Sequence, residues 1–217
     1  SITVSVTDVN DNDPVFTSSA TFSVEENQTA IGTVTATDAD GGDSVTFSVS
    51  GYDADSLSIN SSSGLLTFVS APDFEAQPSY TAIVTASDGT NSSTQSITVS
   101  VTDVNDNAPV FTLGDSHTFS AAENQTAIGT VEATDADGDS VTFTVSGDEL
   151  AITEAGVLTF ASAPDYETQS QYTATVTASD GTNDSTQYIT VNVTGVNEDP
   201  VFTLGDSHTF SAAENQT

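Results

Sequence analysis

Ile97–Phe111 reads ITVSVTDVNDNAPVF, and this stretch decides the fold. In its first half Ile97, Val99 and Val101 alternate with Thr98, Ser100 and Thr102, the period-two pattern of a half-buried β-strand. Its second half is an acidic linker of Asp and Asn that runs into Pro109. The stretch occurs three times: as ITVSVTDVNDNDPVF from Ile2 to Phe16, again from Ile97, and as ITVNVTGVNEDPVF from Ile189 to Phe202. Around it the chain repeats with a period of about 91–95 residues. Pro109–Thr126 recurs unchanged as Pro200–Thr217. AIGTV starts at Ala30 and Ala127, and the LTF-x-SAPD motif at Leu66 and Leu158.

Working outward, Thr3 to Thr7, Thr33 to Thr37, Val45 to Val49 and Thr81 to Thr85 also alternate, and they are rich in Val, Ile, Thr and Phe. Asp40-Gly41-Gly42, Ser63-Gly64 and Asp88-Gly89-Thr90-Asn91 punctuate them as turns. No segment shows helical period. About seven short strands in each repeat predict an all-β chain of tandem β-sandwiches. The boundaries expected are a last strand and linker over 1–13, a repeat over 14–107, a second over 108–199, and the first strand of another over 200–217. A chain that starts and stops within a repeat reads as a window on a longer array.

Composition excludes several functions. The 217 residues carry 32 Asp and Glu, no Lys or Arg, and a formal charge of −32. No side chain can make the cationic phosphate contacts that dominate nucleic-acid binding, dock on anionic lipid, or serve as a Schiff-base lysine. Cysteine is absent, so there is no disulfide framework or thiolate site. No apolar run is long enough to span a bilayer as a helix, so no membrane insertion is expected of this segment. Carboxylates without internal cations must be solvated or metal-bound.

The acids cluster where strands end: Glu25-Glu26-Asn27, Asp38-Ala39-Asp40, Asp73-Phe74-Glu75, Asp88 and Asp103 to Asn107. Clustered carboxylates repel one another unless neutralised. Ca²⁺ takes about 6–8 oxygens from carboxylates, amides and main-chain carbonyls, which is what these loops offer. With two His and no Cys, zinc and copper fit poorly.

These motifs resemble the cadherin repeat. Asp103–Phe111 looks like the family's DxNDNxPxF linker, Glu26-Asn27 like its Glu-Asn motif, Asp73-Phe74-Glu75 like its DRE-type motif, and Asp135-Ala136-Asp137 like its DxD. Asp88 and Asp180 match its later Asp-Gly loop. The resemblance covers the whole chain. It implies tandem Greek-key sandwiches of immunoglobulin-like architecture, with about three Ca²⁺ at each complete junction. The Ser/Thr-rich repeats without Lys or Arg look more like those of large bacterial surface proteins than like animal cadherins.

Carried over, the complete junction would use Glu26, Asp73 and Glu75; Asn105 and Asp106 by side chain; and Val104 and Asn107 by main-chain carbonyl. From the following repeat it would use Asp135, Asp137 and Asp180, with a carbonyl near Asp139. A half-set lies at the start: Asn10, Asp11, Asn12, Asp38, Asp40 and Asp88. The third set departs from the pattern. Glu123, Asp165 and Glu167 are present, but the linker reads GVNEDP, with Gly195 in place of the leading Asp, Asn197, Glu198 and Asp199 after it, and one residue fewer. Fewer ions or a looser joint are expected there. Glu214 repeats Glu123 one period on.

Other polar residues have plainer readings. Glu25, Glu132, Glu149, Glu154, Asp53 and Asp55 read as solvated surface, and His117 and His208 as surface strand residues one repeat apart. A glycosidase carboxylate pair fits poorly with a motif repeated in every domain, so no catalysis is expected. The function implied is an extracellular, calcium-stiffened repeat region of a surface adhesin or fibre. The alternatives are a polysaccharide-binding module and a subunit of a self-assembling filament. Its partners would be neighbouring repeats, like chains or polysaccharide.

Overall fold

The computed structural model describes residues 1–7, 9–40 and 44–199. The chain divides after Asn107 into two units. In the first, Thr21–Glu25, Ser92–Thr102, Ser79–Ser87 and Thr46–Ser50 form a four-stranded sheet in that order. Ala30–Thr33, Leu65–Phe68 and Leu57–Ile59 form a three-stranded sheet. A two-residue ladder joins Val15–Phe16 to Ala36–Thr37. The second unit repeats the plan with Ser116–Ala122, Asp184–Thr194, Gln171–Ser179 and Thr142–Val145 in one sheet, and Ala127–Thr130, Val157–Phe160 and Leu150–Ile152 in the other. The fold is the all-β sandwich that the alternation predicts, with the immunoglobulin-like architecture that the resemblance implies.

Alternation builds the core directly. Tyr80, Ala82, Val84 and Ala86 point inward from one strand, and Ile97, Val99 and Val101 from its neighbour. Each buried Val or Ile among them contributes roughly 1.5–3 kcal/mol on full burial, and each Ala less. Phe68 meets Tyr80 edge-to-face at 4.9 Å between ring centroids, and Phe160 meets Tyr172 the same way at 5.1 Å. Most outward positions are Ser and Thr, with Ile83 and Tyr188 among the exceptions, so a low apolar content still closes a core. Gly64 and Gly156 sit at positive φ against the Val34 and Val131 carbonyls, where any β-carbon would overlap the oxygen.

Two expectations change. Thr3–Thr7 forms no strand, and Ile2, Val4 and Val6 are 94%, 80% and 92% exposed. Alternation encodes a strand face, but a strand exists only where a ladder partner takes its hydrogen bonds. Among the described residues none pairs with this segment. Thr33–Thr37 is not one strand either. The chain changes sheets there: Ala30–Thr33 pairs with Leu65–Phe68, Ala36–Thr37 pairs with Val15–Phe16, and Val34 is fully buried between them.

Candidate metal centre

In the first unit the chain leaves Thr21–Glu25 through Glu26 and Asn27. Asn27 adopts φ 61° and its N–H donates to the Pro72 carbonyl at 3.0 Å. This turn drives the Glu26 side chain inward, where it is 2% exposed. One carboxylate oxygen accepts the Phe74 N–H and the other the Val104 N–H, both at 2.9 Å. Glu26 thus ties the Asp73–Glu75 loop to the linker. A buried carboxylate needs such donors in a sequence with no Lys or Arg to neutralise it. Glu26, Asp73 and Glu75 bring carboxylate oxygens within 4.8 Å of one another. The Asn27 amide donates to Asp106, and the Asn107 amide donates to the other Asp106 oxygen at 3.0 Å. Val104, expected to act through its carbonyl, is held here by its N–H. Asn105 lies half-buried in the same linker.

The second unit repeats the arrangement. Glu123, 3% exposed, accepts the Tyr166 N–H at 2.9 Å and the Val196 N–H at 2.6 Å. Glu123, Asp165 and Glu167 cluster within the same 4.8 Å. The Asn124 amide donates to Glu198 at 2.9 Å, so Glu198 takes the position of Asp106 although it is a methylene longer. The Thr168 hydroxyl, with main-chain N–H groups, lowers the Asp165 pKa against burial. Glu167 is held down by its own main-chain N–H, but burial and the charges of Glu123, Glu198 and Asp165 together raise it. At Gly195 the Tyr166 ring lies 3.1 Å from where a β-carbon would sit, so the ring closes over the place of the expected Asp. Asn197 and Asp199 are exposed beyond this point.

The Asp loops form a second type of cluster. In the first unit Asp40 accepts the Asp11 and Asn12 N–H groups at 2.9 and 2.8 Å, and the Asn12 amide at 2.6 Å. Asp38 accepts the Asp40 N–H at 2.8 Å. Asp88 accepts the Thr90 and Asn91 N–H groups, both at 2.7 Å, and the Asn91 amide reaches Asn10 at 2.8 Å. These donors lower the pKa of Asp40, through Asn12 first, and of Asp88, through Asn91 first. In the second unit Asp135, Asp137 and Asp139 cluster within 4.8 Å, and Asp180 accepts the Thr182 and Asn183 N–H groups at 2.6 Å. Asp139, expected to offer a carbonyl, brings its carboxylate into that group.

One oxygen each of Asp38, Asp88 and Asp135 is buried without a hydrogen-bond donor. A buried carboxylate oxygen without a donor is costly. Calcium is the fitting answer, because the surrounding donor set is all oxygen, from Asp and Asn, with no thiolate or imidazole.

Some residues escaped the sequence reading. Asn91, read only as part of a turn, also ties the Asp88 loop to Asn10, a partner distant in sequence that no local signature announces. Asp53, read as solvated surface, instead accepts the Thr81 N–H at 2.7 Å and the Gln77 amide at 3.0 Å, bonds that lower its pKa against burial. His117 packs edge-on against Phe119 at 4.6 Å. Glu214 and His208 lie outside the described residues.

The chain is similar to the cadherin repeats of known proteins. Residues 20–102 match the family model described as Cadherin domain. The human Cadherin EGF LAG seven-pass G-type receptor 2 is 34% identical over 235 residues, spanning 99% of this chain and 8% of that protein. The crystal structure of mouse cadherin-23 EC22-24 superposes with a TM-score of 0.74 at 27% identity, covering 88% of this chain and 67% of that one. The protocadherin gamma B2 extracellular cadherin domains 3-6 superpose with a TM-score of 0.70 at 26% identity, covering 87% and 51%. The chain spans a small fraction of its curated relative's length. These relatives are animal cadherins, which corrects the expectation of bacterial surface repeats drawn from the Ser/Thr-rich composition without Lys or Arg.

Proposed function

Because this chain carries tandem cadherin-like repeats, we propose that it is a calcium-binding segment of an extracellular adhesion protein or fibre. The observation that carries the reading is the set of buried carboxylate oxygens without donors on Asp38, Asp88 and Asp135, in a sequence with no internal cation. Calcium would supply the positive charge that these oxygens lack. Glu26, Asp73, Glu75 and Asp106 form one half-set; Asp135, Asp137, Asp139 and Asp180 form the complementary kind. Repeats over 14–107 and 108–199, each with a half-set of both kinds, would be linked by ions that complete their coordination from the next repeat. Cation uptake and the ordering of consecutive repeats are then one equilibrium. Glu26 and Glu123 hold their loops in place before any ion arrives. No catalytic role is assigned.

Small-angle scattering with calcium and with chelator tests the proposal. The maximum dimension should increase and its spread should narrow with calcium. Identical profiles would refute it. Asp137→Ala should abolish the change while leaving the circular dichroism spectrum intact.

Ile2, Val4 and Val6 support a second element of the reading, assembly with a like sandwich. Residues 2–7 copy Ile97–Thr102, whose apolar residues are core, yet their own apolar side chains are exposed. Such a strand needs a sandwich to complete, supplied by a preceding repeat or a like chain.

A further inference from the structure

We infer that each sandwich carries a cleft for a lysine or arginine side chain of a basic peptide, and that the cleft of the second unit is the stronger. The cleft lies between the residues that precede Leu57 and Leu150 and those that follow Phe68 and Phe160, the ends of paired strands in each three-stranded sheet. In the first unit Asp55, Val69, Ala71 and Tyr80 line it; in the second, Asp148, Glu149, Ala161, Ala163 and Tyr172 do. Apart from the tyrosines, all of these are exposed. The lining joins apolar surface to carboxylate, which suits a cation on a hydrocarbon stem. The stem packs on tyrosine and alanine while the charged head reaches the acids. A bare metal ion fits less well. Among the described residues, the carboxylates close enough to share an ion include Asp165, which borders the second cleft, but none of Asp55, Asp148 and Glu149.

Tyr80 is a separate pointer to a ligand. It is 8% exposed, its ring packs on Phe68, and no described residue hydrogen-bonds its hydroxyl. Burial first, and then the charges of Asp53 and Asp73, raise its pKa, so the hydroxyl stays protonated in a negative field. A buried hydroxyl without a partner calls for one. A basic peptide supplies it, through a cationic N–H to the tyrosine oxygen or a main-chain carbonyl to its proton.

The cleft is built before any ligand arrives. The Val69 N–H donates to the Ser56 carbonyl, and the Ala161 N–H to the Glu149 carbonyl, both at 2.9 Å. These bonds hold the acidic rim against the neighbouring strand, so little ordering cost falls on binding. Sequence ranks the two units. Ala161 stands where the first unit has Val69, and Glu149 where it has Ser56. The second cleft is wider, about 490 Å³ against about 200 Å³, and has one more carboxylate on its rim. Ligand clefts typically span roughly 300–1,000 Å³. Charge names the partner. No copy of this sequence can supply a Lys or Arg, so the cation comes from a different molecule, and a chain of −32 steers basic segments toward it.

Fluorescence anisotropy with the full chain tests this. The probes are short labelled Gly-Ser peptides bearing Arg, Lys or citrulline, in about 0.15 M salt, where exposed charges beyond about 8 Å are largely screened. The Arg and Lys peptides should bind, both in calcium and in chelator. The citrulline peptide, close to Arg in shape but uncharged, should bind at least tenfold more weakly. Asp148→Asn with Glu149→Gln should weaken Arg-peptide binding at least fivefold. Glu132→Gln with Glu154→Gln removes the same charge from exposed positions elsewhere in the unit and should stay within twofold. Ala161→Val, which copies the first unit, should weaken binding at least threefold with no change of charge. Absence of binding by both basic peptides, equal binding of the citrulline peptide, or full binding by Ala161→Val overturns the inference. So does equal weakening by the two charge pairs, since the attraction would then belong to the acidic surface as a whole. The calcium reading is judged by scattering and this one by peptide binding in chelator, so either can fail alone.

Discussion

Glu26→Ala sets two opposing effects against each other in the calcium-free chain. The substitution removes the acceptor of two N–H groups, those of Phe74 and Val104. Bonds to a charged acceptor contribute roughly 1.5–3 kcal/mol each, so the gross loss is about 3–6 kcal/mol. In the other direction, Glu26 lies within 4.8 Å of the Asp73 and Glu75 carboxylates, and removing it relieves their repulsion. At that separation two unit charges repel by about 0.9 kcal/mol in a water-like dielectric and about 3.5 kcal/mol at an effective value near 20. Asp73 and Glu75 are exposed, so the lower value governs and the relief is about 2 kcal/mol for the two neighbours. The bonds win, with a net destabilisation of roughly 1–4 kcal/mol. For a domain of this size that lowers the melting temperature by roughly 5–30 °C. Scanning calorimetry in chelator reads the global effect, and amide exchange at Phe74 and Val104 the local one. Glu26→Gln keeps one acceptor and removes the charge, so it should cost less than Ala. If Glu26→Ala melts higher than the parent, or leaves both amides as protected as before, repulsion dominates and Glu26 is no clamp.

Two further outcomes follow from the geometry. Gly64→Ala should destabilise the first unit by more than about 3 kcal/mol in urea titration, because a left-handed φ and an overlap with the Val34 carbonyl act together. Acid should weaken the calcium-free chain in a defined window. Asp40, Asp53, Asp88 and Asp165 all have pKa values below the ordinary aspartate value, so their contribution is complete above about pH 4 and is lost as pH falls through the folded-state values. Glu167 acts in the opposite sense, since its raised pKa makes its charged form unfavourable when folded. Urea midpoints should therefore stay nearly level from pH 7 to about 4 and drop below it; a steady decline from pH 7 would contradict the assignment.

Much of this could be read from the residues. Val99 and Thr98 alternate, and one is core while the other faces out; a period of two leaves the sheet little choice. The ordered acidic motifs likewise marked the loops where the carboxylates gather. What escaped depends on partners distant in sequence. Nothing local to Asp53 says that Thr81 will present its N–H, and nothing in Val104 says that its N–H rather than its carbonyl would be taken. Thr3–Thr7 carries a strand pattern as good as that of Ile97–Val101, yet only the second has neighbours on both sides. Tyr166 over Gly195 shows the same limit: the missing Asp was visible in the sequence, but not the ring that occupies its space.

The parallel pairing of an early strand with the last strand in each four-stranded sheet has a mechanical consequence. Thr21–Glu25 runs alongside Thr98–Thr102 in the same direction, and Ser116–Ala122 alongside Tyr188–Thr194. Force applied through the flanking segments therefore pulls the two strands past each other along their length, and loads their cross-strand hydrogen bonds together in shear rather than one by one as in a peeled hairpin. The second unit, whose shared run is the longer, should yield at the higher force, so that a stretched array would give way first at sandwiches of the first kind.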